Sequence, residues 1–361
     1  MFWVFILLPT ITMATLTAMF MAFLWPYATP YLSKYTEEGQ SNLTGEPGLK
    51  LSGVNIHTSG EKTILSTTIK LLDRKGKERY LTDLDVSNFT VLENDGKKVR
   101  NATVMHVEHA RTNRQVNAIL LMDKSGSMKE PSGVAKYTKM EVAKTAAISF
   151  VEQLTQWDNT NIAILPFYGE RADVKSFISG RNNDIWWDQR NLPILREYIN
   201  KLYPGGNTPL LQSLDVSLEQ FRGIDDEVYK LIVCLTDGLD TAKGIPYPYL
   251  LEKARLRQIP IFTLCYGMIG QLNDDQMIEL SKASGAGENG FGSFTQVPPR
   301  DWSTKLQSIK DDISHLYDVY WESTSTSPGT NLNVTVRVSY TLDGEQFIKE
   351  IEKTYTTSKL D

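Results

Sequence analysis

Val116-Asn117-Ala118-Ile119-Leu120-Leu121-Met122-Asp123-Lys124-Ser125-Gly126-Ser127 is an apolar run that ends abruptly in a polar loop. A short run of this kind, rich in branched side chains and closed by a Gly/Ser turn, reads as a strand buried on both faces, the type found in parallel sheets. Leu231-Ile232-Val233-Cys234-Leu235-Thr236-Asp237-Gly238 repeats the pattern, with an aspartate at its end. Gly205-Gly206-Asn207-Thr208-Pro209 is a turn that opens a helical pattern. In an open α/β sheet the carboxyl ends of the strands share one crevice, where ligands bind. Two carboxylates (Asp123, Asp237) and three hydroxyls (Ser125, Ser127, Thr208) converging there suit a hard divalent cation such as Mg2+, which takes oxygen ligands and keeps some of its waters.

Asp-x-Ser-x-Ser followed by a distant Thr and then Asp resembles the metal-ion-dependent adhesion site of von Willebrand factor A (vWA) domains, in particular those of membrane-anchored bacterial proteins. All five positions of that pattern are present, at spacings that leave room for intervening strands and helices. The resemblance implies that Ser125, Ser127 and Thr208 are direct ligands, while Asp123 and Asp237 orient the hydroxyls and hold waters. It also implies Mg2+, with Mn2+ or Ca2+ as alternatives, and an open coordination position completed by an Asp or Glu carboxylate from a protein partner. The bland alternative makes Ser125 and Ser127 helix caps and Asp237 an ordinary turn residue beside Gly238.

Composition bounds the remaining choices. The 361 residues suggest two or three domains, and the net charge is -5, from 38 basic and 43 acidic residues spread along the chain. That balance argues against a nucleic-acid surface, which needs clustered Lys and Arg. The two cysteines, Cys234 and Cys265, each lie inside an apolar run and read as small buried hydrophobes. Residues 1–33 carry no charged side chain. A helix over Phe2 to Trp25 would span about 36 Å, enough for a bilayer core of roughly 30 Å. The competing reading is a cleaved signal peptide, but no basic segment precedes the stretch and no convincing small-residue cleavage site follows, so a retained anchor over residues 1–34 is the expectation. The expected location is the cell membrane, single-pass, with the bulk of the chain outside the cytoplasm by analogy with similar anchored proteins.

Residues 35–48 are polar and turn-rich, a linker. Residues 49–112 alternate in short segments, and Asn94-Asp95-Gly96 before Lys97 signals a hairpin. From 113 to 317 strands alternate with helices. Strands are expected at Val116 to Met122, Asn161 to Tyr168, Asp173 to Ile178, Tyr229 to Thr236, Ile261 to Tyr266 and Gly292 to Gln296. That pattern predicts a doubly wound, mostly parallel six-stranded sheet. The last helix, expected over Asp301 to Leu316, carries the stripe Trp302, Leu306, Ile309, Ile313 and Leu316. Residues 318–361 return to alternation, with Val334, Val336, Val338 and Tyr340 on one face and a turn at Leu342-Asp343-Gly344-Glu345. The two β segments are expected to form one sandwich split in sequence by the vWA domain, or else two independent extensions.

Catalysis is the main rival to binding. None of the four histidines (His57, His106, His109, His315) falls on a strand-end loop of the α/β segment, and the familiar hydrolase and phosphate-binding motifs are missing. The His106-x-x-His109 pair has strand spacing that turns its members to opposite faces. The chain is therefore not expected to be an enzyme. Tyr247-Pro248-Tyr249 and Asp240, on loops after Asp237, are candidate partner contacts, with Asp240 equally readable as a solvated loop residue. Trp186-Trp187-Asp188 is either a recognition surface or a pair of rings packed over the sheet edge. The reading that follows is a membrane-anchored protein that binds a protein ligand through a cation, for adhesion, assembly or scaffolding. The alternatives are a structural subunit of a membrane complex and, further off, a metallohydrolase.

Overall fold

The computed structural model describes residues 47–59, 62–75, 77–109, 114–157, 159–169, 185–225, 228–238, 240–242, 244–265, 274–284, 294–296, 298–324 and 330–356. The expected anchor over residues 1–34 and the strand over Asp173 to Ile178 lie outside them, as does the linker save its last two residues. Among the described residues no helix is long and apolar enough to cross a membrane.

Six strands come first: β1 (Gly48–Ser59), β2 (Lys62–Leu72), β3 (Glu78–Tyr80), β4 (Phe89–Asn94), β5 (Val99–Ala102) and β6 (Val104–His109). An α/β segment follows. It runs β7 (Val116–Asp123), α1 (Lys139–Leu154), β8 (Thr160–Phe167), α2 (Leu192–Lys201), α3 (Leu210–Glu219), β9 (Tyr229–Thr236), α4 (Tyr247–Arg257), β10 (Ile261–Cys265), α5 (Asp274–Ala283), β11 (Phe294–Gln296) and α6 (Trp302–Ser314). The chain closes with β12 (Leu316–Glu322), β13 (Asn331–Leu342) and β14 (Glu345–Thr356).

The chain divides into two compact units, one holding Leu49–Lys70 with Tyr80–Asp361 and a small one that includes Leu71–Arg79. In the small unit, Asp73 Oδ1 accepts the N–H groups of Lys75 (2.8 Å) and Lys77 (2.9 Å), which closes its turn. Everything else concerns the large unit.

Its centre is a parallel sheet in the order β11-β10-β9-β7-β8. Every residue of β7 is buried, and its side chains sort by parity. Ala118, Leu120 and Met122 join α1, α2 and α6 in one core; Ile119 and Leu121 join α3, α4 and α5 in the other. A strand alternates its side chains between faces, so a continuous apolar run is what a sheet covered on both sides requires. The expected doubly wound arrangement is observed, with five strands among the described residues.

Local signals set several element ends. Thr138 caps α1, accepting the Glu141 N–H while the Glu141 carboxylate accepts the Thr138 N–H. The stripe Trp302, Leu306, Ile309, Ile313 and Leu316 is buried throughout. Leu316, however, opens β12 rather than ending α6. Helix α4 starts at Tyr247, with Pro248 in its first turn, where no backbone N–H is needed. Cys234 and Cys265 are buried, form no disulfide, and lie on neighbouring strands, where Cys234 pairs with Thr263 and Cys265 with Thr236.

Two further sheets join residues from both sides of the α/β segment. One has the order β1-β2-β12-β6, the other β14-β13-β4-β5. Strand β12 is antiparallel to β2 and β6, and β13 is antiparallel to β4 and β14. The β13–β14 hairpin turns on Asp343 and Gly344, both at positive φ (53° and 80°), the geometry of a tight two-residue hairpin loop. Glu93 of β4 is buried and answers four donors: Trp321 Nε1, Ser323 Oγ, and the Thr324 N–H and hydroxyl. A buried carboxylate needs such partners, and here they span the two sheets.

The remaining open readings resolve toward packing. Trp187 bridges to Ile162 of β8 by paired backbone bonds of 2.8 and 2.9 Å, and Trp186 stacks obliquely on Phe221. His109 lies on the Tyr317 ring and His106 beside Tyr320, at two separate places.

Candidate metal centre

The strand order places β7 between β8 and β9. The chain leaves β7 toward β8 on one side and later resumes at β9 on the other, so the order reverses at β7. Ligands of open α/β sheets bind at such reversals, outside the carboxyl ends. Asp123 is the last residue of β7, and Asp237 follows the last residue of β9.

Both oxygens of Asp123 are engaged: the Ser125 N–H donates to Oδ1 at 2.7 Å and the Thr236 hydroxyl to Oδ2 at 2.6 Å. Asp123 is fully buried. Burial, helped by the charge of Asp237, pushes its carboxyl from 3.8 up to about 6, against the opposing pull of the hydrogen bonds from Thr236 and Ser125. Ser125 Oγ and Ser127 Oγ are 3.1 Å apart, and the Ser127 hydroxyl donates to Asp237 Oδ1 at 2.7 Å. Four of the five expected residues thus form one connected group.

Thr208 arrives from the neighbouring loop. Gly126 N–H donates to Gly206 O at 2.9 Å, so the serine loop and the threonine loop are stitched together. A Cβ on Gly238 would lie 3.6 Å from Thr208 Oγ1, which puts that hydroxyl beside the Asp237-Gly238 turn. The backbone of Thr208 is held by Thr241: its N–H donates to Thr241 Oγ1 and its carbonyl accepts the Thr241 N–H. The Thr208 residue is largely buried, and its hydroxyl makes no hydrogen bond among the described residues, nor is that oxygen one of the fully enclosed ones. A hydroxyl that no protein group engages, open at the mouth of the carboxylate–serine cluster, fits an oxygen ligand for a cation.

No three His, Cys, Asp or Glu side chains gather as a metal site among the described residues. Any cation here depends on hydroxyls. That donor set, all oxygen, two carboxylates and three hydroxyls, suits Mg2+, Mn2+ or Ca2+ better than a soft metal.

The partner-contact candidates have other work. Asp240 Oδ1 accepts the Leu210 N–H at 3.1 Å and the Ala242 N–H at 3.4 Å, so it braces the start of α3 directly after Thr208. It is half-buried rather than fully solvated. Tyr247 Oη donates to Gln276 O at 2.8 Å and meets Glu279 Oε2 at 2.9 Å, tying α4 to α5. Tyr249 is exposed, with Lys253 over its ring, and no hydrogen bond joins it to the cluster among the described residues.

Four side chains escaped the sequence reading. Thr236 orients Asp123. Lys139, the first residue of α1, places Nζ 2.7 Å from Asp237 Oδ2 and 2.7 Å from Glu130 Oε2. Burial opposes its charge, but the bonds to Asp237 and Glu130 outweigh that and raise Lys139 above an ordinary lysine. A legible signal existed: a cation in the first turn opposes the helix dipole, and such a local violation marks a tertiary demand. At the rim, Lys124 Nζ lies 3.8 Å over the Tyr168 ring, and Lys129 Nζ lies 5.4 Å over the exposed Tyr203.

No protein-family model matches the chain, and no curated protein does. Among solved structures, a von Willebrand factor type A protein from Catenulispora acidiphila is 12% identical, aligned over 88% of this chain and 75% of its own, with a TM-score of 0.46. Proximal thread matrix protein 1 from the mussel byssus, solved with a zinc-occupied MIDAS motif, is 17% identical over 57% of this chain and 47% of its own, at 0.42. The PilB minor pilin from Streptococcus sanguinis is 14% identical over 74% and 79%, at 0.40. Each TM-score is below 0.5, so these likenesses add no weight to the arrangement of strands and residues described above.

Proposed function

We propose that the chain is a vWA-type binding protein, anchored to a membrane by residues 1–34, that captures a protein ligand through a divalent cation. Ser125, Ser127 and Thr208 would hold the cation, Asp123 and Asp237 would orient them, and Mg2+ is the expected metal. When bound, the cation supplies an electrophilic point that accepts an Asp or Glu carboxylate from the partner.

The observation that carries the reading is the Thr208 hydroxyl, set beside the Asp237-Gly238 turn and the linked Ser125, Ser127 and Asp237 side chains and without a hydrogen bond among the described residues. The chain's own residues do the rest. Thr236 and the Ser125 N–H fix the rotamer of Asp123. Asp240 and Thr241 fix the loop that presents Thr208. Lys124 and Lys129, held over Tyr168 and Tyr203, give the rim a positive and aromatic character that favours an acidic segment. No histidine is joined to the cluster by a hydrogen bond among the described residues; the groups that are, Thr236 and Lys139, hold its two carboxylates. The role would be adhesion, assembly or scaffolding, on the outer side of the membrane.

The test is capture of partners from solubilised membranes by the full chain, with Mg2+ and with chelator. A specific partner retained with Mg2+ and released by chelator is the expected result. Capture indifferent to chelator would overturn the metal-dependent reading.

A further inference from the structure

Lys139 departs from a simple cation cage. Its side chain is 9% exposed, and its ammonium occupies Asp237 Oδ2 while Ser127 occupies Oδ1. The second partner, Glu130, is 63% exposed at its side chain and therefore largely screened by water. Among the described residues, the buried charges around the site are thus Asp123, Asp237 and Lys139. Together they carry a single net negative charge.

We propose that Lys139 is a tethered cation that competes with the divalent metal for Asp237, so that the metal is held firmly only when an external carboxylate joins the site. The inference rests on the metal-binding reading and deepens it. A divalent ion added to one net negative buried charge leaves an excess positive charge in a place of low dielectric, and an incoming anion relieves it. Without Lys139 the two aspartates would balance the ion alone, and the partner's acid group would matter less. Lys139 is a positioning residue: it acts on the metal through Asp237. It also holds Asp237 in place while no metal is present, and Thr138 and Glu141, which cap its helix, hold Lys139 in place in turn.

The experiment is calorimetric titration of the full chain with Mn2+ alone, then with Mn2+ in excess acetate as a stand-in carboxylate. Wild type, Lys139→Met and Lys139→Arg are compared. The expected result is weak Mn2+ binding by wild type that acetate strengthens, binding by Lys139→Met tighter by roughly tenfold or more with little further gain from acetate, and Lys139→Arg close to wild type. A merely structural lysine predicts the opposite sign, since loosening Asp237 would weaken the metal. Metal binding seen only in Lys139→Met supports the proposal. Equal or weaker binding by Lys139→Met, with wild type binding measurably, overturns it and leaves the metal-dependent reading standing. No Mn2+ binding by any of the proteins overturns both. If Lys139→Met does not fold, Glu130→Gln serves: freeing the ammonium for Asp237 alone should weaken Mn2+ binding, and tighter binding would overturn the proposal.

Discussion

The Lys70 ammonium lies 2.7 Å from Asp312 Oδ1, with the two side chains 3% and 9% exposed. Lys70 belongs to β2 and Asp312 to the last turn of α6, 242 positions later. The Tyr80 hydroxyl also donates to Asp312 Oδ1, and the Thr68 hydroxyl donates to the Asp312 carbonyl. The end of the last helix is thereby bolted to the β-rich part of the chain by a charged group and two hydroxyls. Breaking a buried pair by removing one member leaves an uncompensated charge and typically costs about 3–5 kcal/mol. Asp312→Ala should therefore lower unfolding stability by that order, measured by urea denaturation. A loss under about 1 kcal/mol would show that water reaches the pair.

Of the three candidate ligand hydroxyls, Thr208→Ala removes the one without a hydrogen bond, while the backbone bonds to Thr241 persist. The change should leave the melting temperature within a few degrees of wild type. It should abolish Mg2+-dependent partner capture. Undiminished capture with an intact fold would remove Thr208 from the ligand set.

Asp123 predicts a pH dependence in the metal-free protein. Its carboxyl is raised from 3.8 to about 6, chiefly by burial. Between those values the native state keeps a proton that the unfolded chain has lost, so stability falls as pH rises from about 4 to about 6. The loss amounts to roughly 2–3 kcal/mol for this group alone. Asp123→Asn should flatten that part of the stability profile. A divalent cation favours the ionised carboxylate and should counter the fall, so metal-induced stabilisation should grow as pH rises through 6. Identical profiles for wild type and Asp123→Asn would mean the carboxyl is not held up by burial.

Gly206 has φ of +83°, and a Cβ there would come within 3.0 Å of the Gly169 nitrogen. Both facts penalise any side chain. Gly206→Ala should destabilise by more than about 1 kcal/mol. Because Gly206 O receives the Gly126 N–H, the change should also part the serine and threonine loops and weaken metal binding. Unchanged metal affinity would mean that this contact does not align them.

Much of this was legible in residue order. The β7 run could only be buried on both faces, since seven mostly apolar neighbours leave no face for water. The capping box at Thr138, the Asp343-Gly344 turn and the stripe along α6 are local patterns whose meaning does not depend on distant contacts. The five oxygen-bearing residues were readable too, because each stands at a strand end or a helix start. For Asp240 and Tyr247 the residue order said less about what their side chains touch. Both stand near Asp237 in the chain, but a backbone N–H and a neighbouring helix claim their polar atoms.

The sequence by itself determined the alternation of strands and helices, the ends of several elements and the residue types gathered at the strand ends, since periodicity and capping act over a few residues. The tertiary structure alone decided which strand lies beside which, and so that β7 is the point of reversal. It also decided that an ammonium from the start of α1 reaches Asp237, and that β12 and β13 return to pair with strands laid down before the α/β segment. Those outcomes come from hydrogen-bond pairing and charge contact between groups far apart in the chain, and no local pattern encodes which distant partner a strand or a lysine will meet.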